Sequence, residues 1–481
     1  MVKSLFVVLV FNLLIYLKTF LFPSAEFQEQ FVFTVLPIAD CPEQDTLIQL
    51  FIATVAENVG AEGLVFFPLQ NISEIFFNLS PGVGEFLNLP VMALPRKSTG
   101  PVRRRENSTV VVAATAETVV YVHVRCSQQK DSNPKSGSVR GTAFQIKGIR
   151  ELGKYYRVLT FQKCGHAQVA IVAVKENTDV EIYMNDTSVL ERDGITLQMY
   201  ETYIIEGKFD ITGGYIKASE PVFVLTGNDG DGIRKCACSN ISSNSTSSSS
   251  SSSRGNSSSS NSSNSENTPT NSCGRGKDPF YECLIPYHHW GTHYYLFPLF
   301  DPTFTMVYKI ISFENTKVTI TEGQESVKNL SLDEKLGKFI EKTVTFSQTQ
   351  GGVEVKSPEA ILVAQFSVES KRSISMLLAT PSSQFTRKYT VFPVFNISHV
   401  DEAATHYINI ILPPGGQTND LHINNDSKTT WENVGDFTDG SRVVRTILSP
   451  SSNLLENRGG YNITAVVSAS HVRRSYTFAL P

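Results

Sequence analysis

Along most of this chain apolar and polar residues alternate with a period of two, and the 3.6-residue rhythm of an amphipathic helix is nearly absent. β-Branched and aromatic runs recur at residues 108–113, 118–124, 167–174, 179–184 and 202–206. They continue at 222–226, 306–312, 317–321, 407–412 and 461–468. Each run has strand length and is bounded by Gly, Pro, Asn or Asp, and roughly 25 runs of this kind can be counted. The pattern predicts an all-β protein of repeated antiparallel sheets. Val222-Phe223-Val224-Leu225 is apolar on both faces, which predicts a central strand covered on both sides. Only residues 328–338 leave room for a helical turn or two.

The runs are not independent. Lys154-Tyr155-Tyr156-Arg157-Val158-Leu159-Thr160-Phe161 lines up with Thr292-His293-Tyr294-Tyr295-Leu296-Phe297-Pro298-Leu299, 138 positions later. At the same offset Glu176-Asn177-Thr178 meets Glu314-Asn315-Thr316, and Ser219 meets Ser357. A partial third copy opens at Tyr389-Thr390-Val391-Phe392-Pro393, 95 positions after Tyr294. One β-rich unit has therefore been reused. Within it, Asn tolerates the left-handed turn that starts a strand. Pro221 stands before a fully apolar strand, where a missing N–H costs least. Six or seven four-stranded propeller blades would use about 25 strands, as would tandem β-sandwiches of about 100 residues each. The unequal offsets favour a propeller-like ring of small blades.

The start of the chain changes the compartment. Lys3, an apolar run over residues 5–17 and then Pro23-Ser24-Ala25 follow the order of a secretory signal peptide, assigned to residues 1–25. Lys18 interrupts the run short of the roughly 20 apolar residues of a membrane span. The alternative is an uncleaved anchor. No membrane span is expected after signal removal. Asn-x-Ser/Thr sequons stand at Asn71, Asn78, Asn107, Asn185, Asn240, Asn244, Asn256, Asn261, Asn329, Asn396, Asn425 and Asn462, which suits a secreted N-glycoprotein. Residues 26–62 form an N-terminal segment, and 63–481 a repeated β domain. A Ser/Asn-rich insert at 239–272 interrupts it and is expected to be disordered, because it cannot bury enough apolar surface. A net charge of −4 with no basic stripe argues against nucleic acid as a partner.

Seven cysteines in an oxidising compartment point to disulfides. Cys236, Cys238, Cys273 and Cys283 cluster around the insert and are expected to form two bridges among themselves. Of the scattered three, Cys126 and Cys164 both end strands and are expected to pair. Cys41 is then left for an intermolecular bond, giving a disulfide-linked homodimer.

One stretch resembles a known family. Asp210-Ile211-Thr212-Gly213-Gly214-Tyr215-Ile216-Lys217-Ala218-Ser219-Glu220-Pro221-Val222, completed by Thr226-Gly227-Asn228, is similar to a run of the IgGFc-binding-protein N-terminal domain family. Cys236 and Cys283 followed by Leu284-Ile285-Pro286 and Trp290-Gly291-Thr292-His293-Tyr294 resemble that family's cysteine pair and its Trp-Gly step. The motif positions carried over are Thr212, Gly213, Pro221, Gly227, Asn228, Trp290 and Gly291. The resemblance runs from about Gly63 to the C-terminus. It implies a secreted, all-β interaction domain without catalysis, of the kind found in mucus and on extracellular surfaces in innate immunity. The chain lacks the Cys-rich von Willebrand-type modules often joined to such domains, and it carries the serine-rich insert between the family cysteines.

Candidate chemistry is sparse. His288, His289 and His293 flank Trp290 and offer zinc ligand types. The plainer reading is an aromatic strand entry. Asn228-Asp229-Gly230-Asp231-Gly232 could hold calcium but lacks the glutamate of an EF-hand loop, and a tight hairpin turn accounts for it as well. No metal and no cofactor are expected. Arg103-Arg104-Arg105 is a processing site or, more simply, a solvated loop. There is no Gly-x-Ser-x-Gly elbow, His-Glu-x-x-His, P-loop or dinucleotide fingerprint. The reading is a secreted binding or adhesion module, not an enzyme. Its partners would be glycans, mucin-type glycoproteins or microbial surfaces. The alternatives are a secreted polysaccharide hydrolase on a propeller and a structural component of mucus or matrix.

Overall fold

A computed structural model of the chain describes residues 27–230 and 279–480, apart from loop stretches of one to seven residues. The segment expected to be a signal peptide, the serine-rich insert, Cys164, Cys236, Cys238, Cys273, Asp231, Gly232 and the sequons at Asn240, Asn244, Asn256, Asn261 and Asn425 lie outside the described residues. Among the described residues every regular element is a β-strand or a short 3-10 turn. The sheets are antiparallel throughout.

One pairing scheme is used four times. In the second copy the strand Tyr215–Asn228 is the spine. Its first part pairs with Gly153–Arg157 and Thr178–Asp186, its second part with Ala167–Ala173 and Phe280–Cys283. In the third copy Val353–Val368 pairs in the same way with Gly291–Leu296 and Thr316–Glu322, then with Thr305–Ser312 and Ile374–Leu378. In the first copy the spine is broken into Val110–Ala114 and Thr118–Lys130. In the fourth it is broken into Ser452–Asn457 and Thr464–His471. The partners keep their places in both.

The repeated motifs sit where the spine changes partners. Ser219-Glu220-Pro221 and Ser357-Pro358-Glu359 mark the crossing, where a residue without an N–H costs least. The Ser219 hydroxyl accepts the Asp179 N–H at 2.9 Å, and the Ser357 hydroxyl meets that of Thr316 at 3.0 Å. A tyrosine clamps each crossing. Tyr156 accepts the Gly153 N–H and donates to the Val222 carbonyl, 66 residues on. Tyr294 accepts the Gly291 N–H and donates to the Ile361 carbonyl, 67 residues on. The third copy thus carries one extra residue between clamp and spine.

This order differs from the expected ring of small blades. Among the described residues no sheet has four consecutive strands side by side in chain order, as a propeller blade has. The first copy also begins upstream of residue 63, with Glu29–Phe33 and Thr46–Thr54. The helical turn allowed at 328–338 is replaced over its first part by the strand Ser326–Leu332, which pairs with Thr316–Glu322 along its whole length.

The copies share their cores. The first and second bury Phe33, Val111 and Val122 with Phe223, Leu225 and Tyr281, and the second and third bury Ile171 and Trp290 with Leu362 and Phe366. Tyr295 and Phe297 of the third pack with Val443 and Val466 of the fourth. The fourth returns to the first, where Phe392, Phe395 and Phe478 bury Phe51 and Tyr121. The closing strands Asn133–Ile146, Phe280–Cys283, Ile374–Leu378 and Arg474–Ala479 accordingly touch in cyclic order, the last against the first. At two joints a glycine meets the proline that leads into the following copy. A Cβ at Gly153 would lie 2.5 Å from Pro286, and one at Gly291 would lie 2.3 Å from Pro381.

Two cysteine expectations are corrected. Cys126 bonds Cys41, not Cys164. Pairing of Thr46–Thr54 with Thr118–Lys130 sets Thr46 opposite Cys126 and brings the Cα atoms of the two cysteines to 5.9 Å. Cys41 is therefore consumed within the chain and supports no homodimer. Cys283 keeps a free thiol, so it joins no bridge with Cys236, Cys238 or Cys273 in this structure. Its strand pairs Cys283 with Leu225 inside the core, where burial pushes the thiol up to about 12. Arg103-Arg104-Arg105 is no loop either. Arg103–Glu106 is a strand that crosses from the first copy to pair with Thr202–Gly207 of the second, and Arg104 lies 3.1 Å from Glu206.

Candidate functional site at the joints between copies

Alternation along Gly291–Leu296 sends Tyr294 and Leu296 into one core while His293 and Tyr295 share the other face, their rings 4.5 Å apart. Facing them is the fourth copy's turn from Phe437 to Ser441. The Phe437 N–H donates to the Ser441 carbonyl at 2.9 Å, and Gly440 supplies the left-handed residue the turn requires, with φ of 85°. The turn presents Asp439 to the Tyr295 hydroxyl, which donates to it. A groove of about 350 Å³ opens here, lined by Tyr295, Phe385, Arg387, Asp439, Tyr461 and Asn462. Three aromatic side chains beside a carboxylate, a guanidinium and an amide make a surface for a ligand with both apolar faces and hydroxyls.

Beneath Asp439 lies Glu354, only 3% exposed. Its Oε1 accepts from His293 Nε2 at 2.7 Å and from Lys356 at 2.6 Å, and its Oε2 from Thr438 at 2.7 Å. Burial acts to raise both carboxyls. For Glu354 the bonds from Lys356, Thr438 and His293 outweigh it, and for Asp439 those from Tyr295 and Ser441 do. Both end below the usual carboxylate range, so both are ionised at neutral pH.

A second hollow, of about 220 Å³, lies where the closing strands meet, lined by Gln145, Lys147, Glu282, Cys283, His289 and Leu480 among others. Burial raises the Glu282 carboxyl well above its usual range, against the pull of Lys147 and the Cys283 amide. Burial and the neighbouring His288 keep His289 low. The shifts of Glu282 and Cys283 both disfavour the ionised forms in which a carboxyl or a thiol attacks as a nucleophile. The raised Glu282 has a pH consequence. Its contribution to stability is complete below the ordinary carboxyl value of about 4.3 and is lost as pH climbs from there through the raised folded value. Glu282→Gln should flatten that part of the melting-temperature profile. An unchanged profile would place the carboxyl in solvent.

The motif residues taken from the resemblance are joints and supports. Thr212 accepts the Thr160 N–H at 3.0 Å and donates to the Asp210 carboxylate at 2.5 Å. Gly213 has φ of 85°. Pro221 is at the spine crossing, and a Cβ at Gly227 would meet the Phe280 carbonyl at 1.9 Å. Asn228 caps Gly230, and the Trp290 indole donates to the Ile285 carbonyl at 2.9 Å. Gly291 packs on Pro381. Asp229, from the stretch weighed for calcium, is engaged with His166 at 3.1 Å. His288 and His289 lie ring to ring and do not join His293. The six sequon asparagines whose side chains are described, Asn71, Asn78, Asn107, Asn329, Asn396 and Asn462, are all exposed.

Sequence reasoning missed Glu354, Asp439 and the buried lysine at 309. Lys309 is 0% exposed and lies 2.6 Å from Asp210 and 3.4 Å from Glu341, under the ring of Phe339. The signal was legible, since one lysine inside the apolar run Met306–Ser312 has to find a buried partner. It joins the Asp210-Ile211-Thr212-Gly213 motif of the second copy to the third.

A family model described as IgGFc binding protein matches residues 142–467, which include the whole of the second and third copies and most of the fourth. The chain belongs to the IgGFc binding protein family. No curated protein gave a match to it. Within the IgGFc binding protein match fall the Asp210–Lys309 joint, the groove at Tyr295 and the hollow at Glu282. The Cys41–Cys126 bridge lies before it.

Proposed function

We propose that the protein is a secreted, N-glycosylated extracellular binding module without catalysis, taking glycans or mucin-type glycoproteins in the groove between the third and fourth copies. The loops between copies carry recognition. The observation that carries the reading is the groove itself, with Tyr295, Phe385 and Tyr461 beside Arg387, Asp439 and Asn462. The family, the exposed sequon asparagines and a disulfide suited to an oxidising compartment support it. Among the described residues no helix is long and apolar enough to cross a membrane.

The hydrolase alternative needs two carboxyls of unlike character, one kept protonated to act as the acid. Glu354 and Asp439 are close enough to be compared with such a pair, yet both are held low. That favours binding over hydrolysis. A glycan array on the purified protein should give selective binding that Tyr461→Ala weakens about tenfold or more, with no release of sugar from the bound glycans. Cleavage of a bound glycan would overturn the non-catalytic reading. Binding untouched by Tyr461→Ala would move the site elsewhere.

A further inference from the structure

His293, Glu354 and Asp439 come from two strands of the third copy and a turn of the fourth, and their ligand atoms all lie within 4.8 Å of one another. We propose that these three side chains bind a divalent cation of the zinc class, with one coordination position open to the groove lined by Tyr295 and Tyr461. This goes beyond the glycan reading and does not depend on it.

One imidazole nitrogen and two carboxylate oxygens are the donor set of an open zinc site, which keeps three protein ligands and leaves a position for water or ligand. Tetrahedral zinc with bonds of about 2.0–2.1 Å needs donors roughly 3.3 Å apart. His293 Nε2 and Glu354 Oε1 are already closer than that, at 2.7 Å. Asp439 is an exposed side chain at the tip of a turn, so rotation about its own bonds can bring its oxygen in. Both carboxylates are oriented from outside the trio, as metal ligands are. Thr438 holds Glu354 at 2.7 Å, and the Ser441 N–H holds Asp439 at 2.9 Å.

One cation already occupies part of this space. Lys356 places its ammonium 2.6 Å from Glu354 Oε1, but its side chain is half exposed and can swing into solvent. Zinc and the Lys356 ammonium therefore compete for one oxygen.

The test is calorimetric titration of the untagged, full-length secreted protein with zinc chloride, beside metal analysis after dialysis. One zinc per chain is expected at neutral pH. His293→Ala and Asp439→Asn should each weaken binding at least about tenfold, a minimum set by what losing even an outer-shell partner costs. Lys356→Gln should tighten it. Because Lys356→Gln removes no ligand, a gain in affinity cannot come from misfolding. His288→Ala/His289→Ala should leave binding unchanged. The proposal is overturned if the wild type binds no zinc. It is also overturned if zinc survives His293→Ala, or if the His288/His289 variant loses it while His293→Ala does not.

Discussion

Lys309→Ala is expected to lower stability by about 3–5 kcal/mol, the usual cost of removing one partner from a buried ion pair. Lys309 has no exposed surface and holds Asp210 at 2.6 Å and Thr212 at 3.2 Å, with Glu341 3.4 Å away. Without the ammonium, which the rings of Phe161 and Phe339 cover, the largely buried Asp210 carboxylate keeps the Thr160 and Thr212 hydroxyls but loses its opposite charge. Asp210→Ala should cost less, because Glu341 remains to pair with the lysine. The double variant should be no worse than Lys309→Ala alone, since the stranded carboxylate is then gone. Chemical denaturation of the four proteins measures this directly. Strict additivity of the two single losses would show that the residues act separately.

Cys41→Ser should be the other large loss, about 2–5 kcal/mol. The bridge closes 85 residues of chain and ties the first copy's spine to the segment that enters its strand Thr46–Thr54. Reduction should destabilise the wild type more than it does Cys41→Ser. On a non-reducing gel the wild type should show no dimer that depends on Cys41. A covalent dimer lost in Cys41→Ser would mean the cysteine bridges chains instead.

The sequence showed the class of the fold and the repeat, and for physical reasons. Strands covered on one face alternate, and spines covered on both faces do not, so Ala167–Ala173 and Val222 to Leu225 read correctly as strands. The 138-residue offset survived because Tyr156 and Tyr294 close the same backbone clamp, and Ser219 and Ser357 stand at the same spine crossing, whereas the left-handed turn at Asn177, with φ of 50°, is not repeated at Asn315. The first copy was missed because its spine is broken after Ala114 and it has no clamp tyrosine in the Glu29–Phe33 strand. Only Val32-Phe33-Thr34-Val35-Leu36, which matches Val391-Phe392-Pro393-Val394-Phe395, hinted at it. Disulfide choice was out of reach, since it follows from the register that sets Thr46 opposite Cys126. The groove was equally hidden. Tyr295 and Asp439 are 144 residues apart and meet only because two copies dock.

The contact of Arg474–Ala479 with Asn133–Ile146 alters how such an array comes apart. In an open row of repeats the outer units have one neighbour each, and fraying starts from them. Here Tyr121 packs against Phe478 with ring centroids 4.9 Å apart and His123 against Phe395 at 4.8 Å, so the first and last units each have two neighbours. Opening any unit strips two interfaces at once, and no unit is exempt. A closed circle of this kind melts as one body, and a defect at any single joint is felt equally by the unit on either side of it.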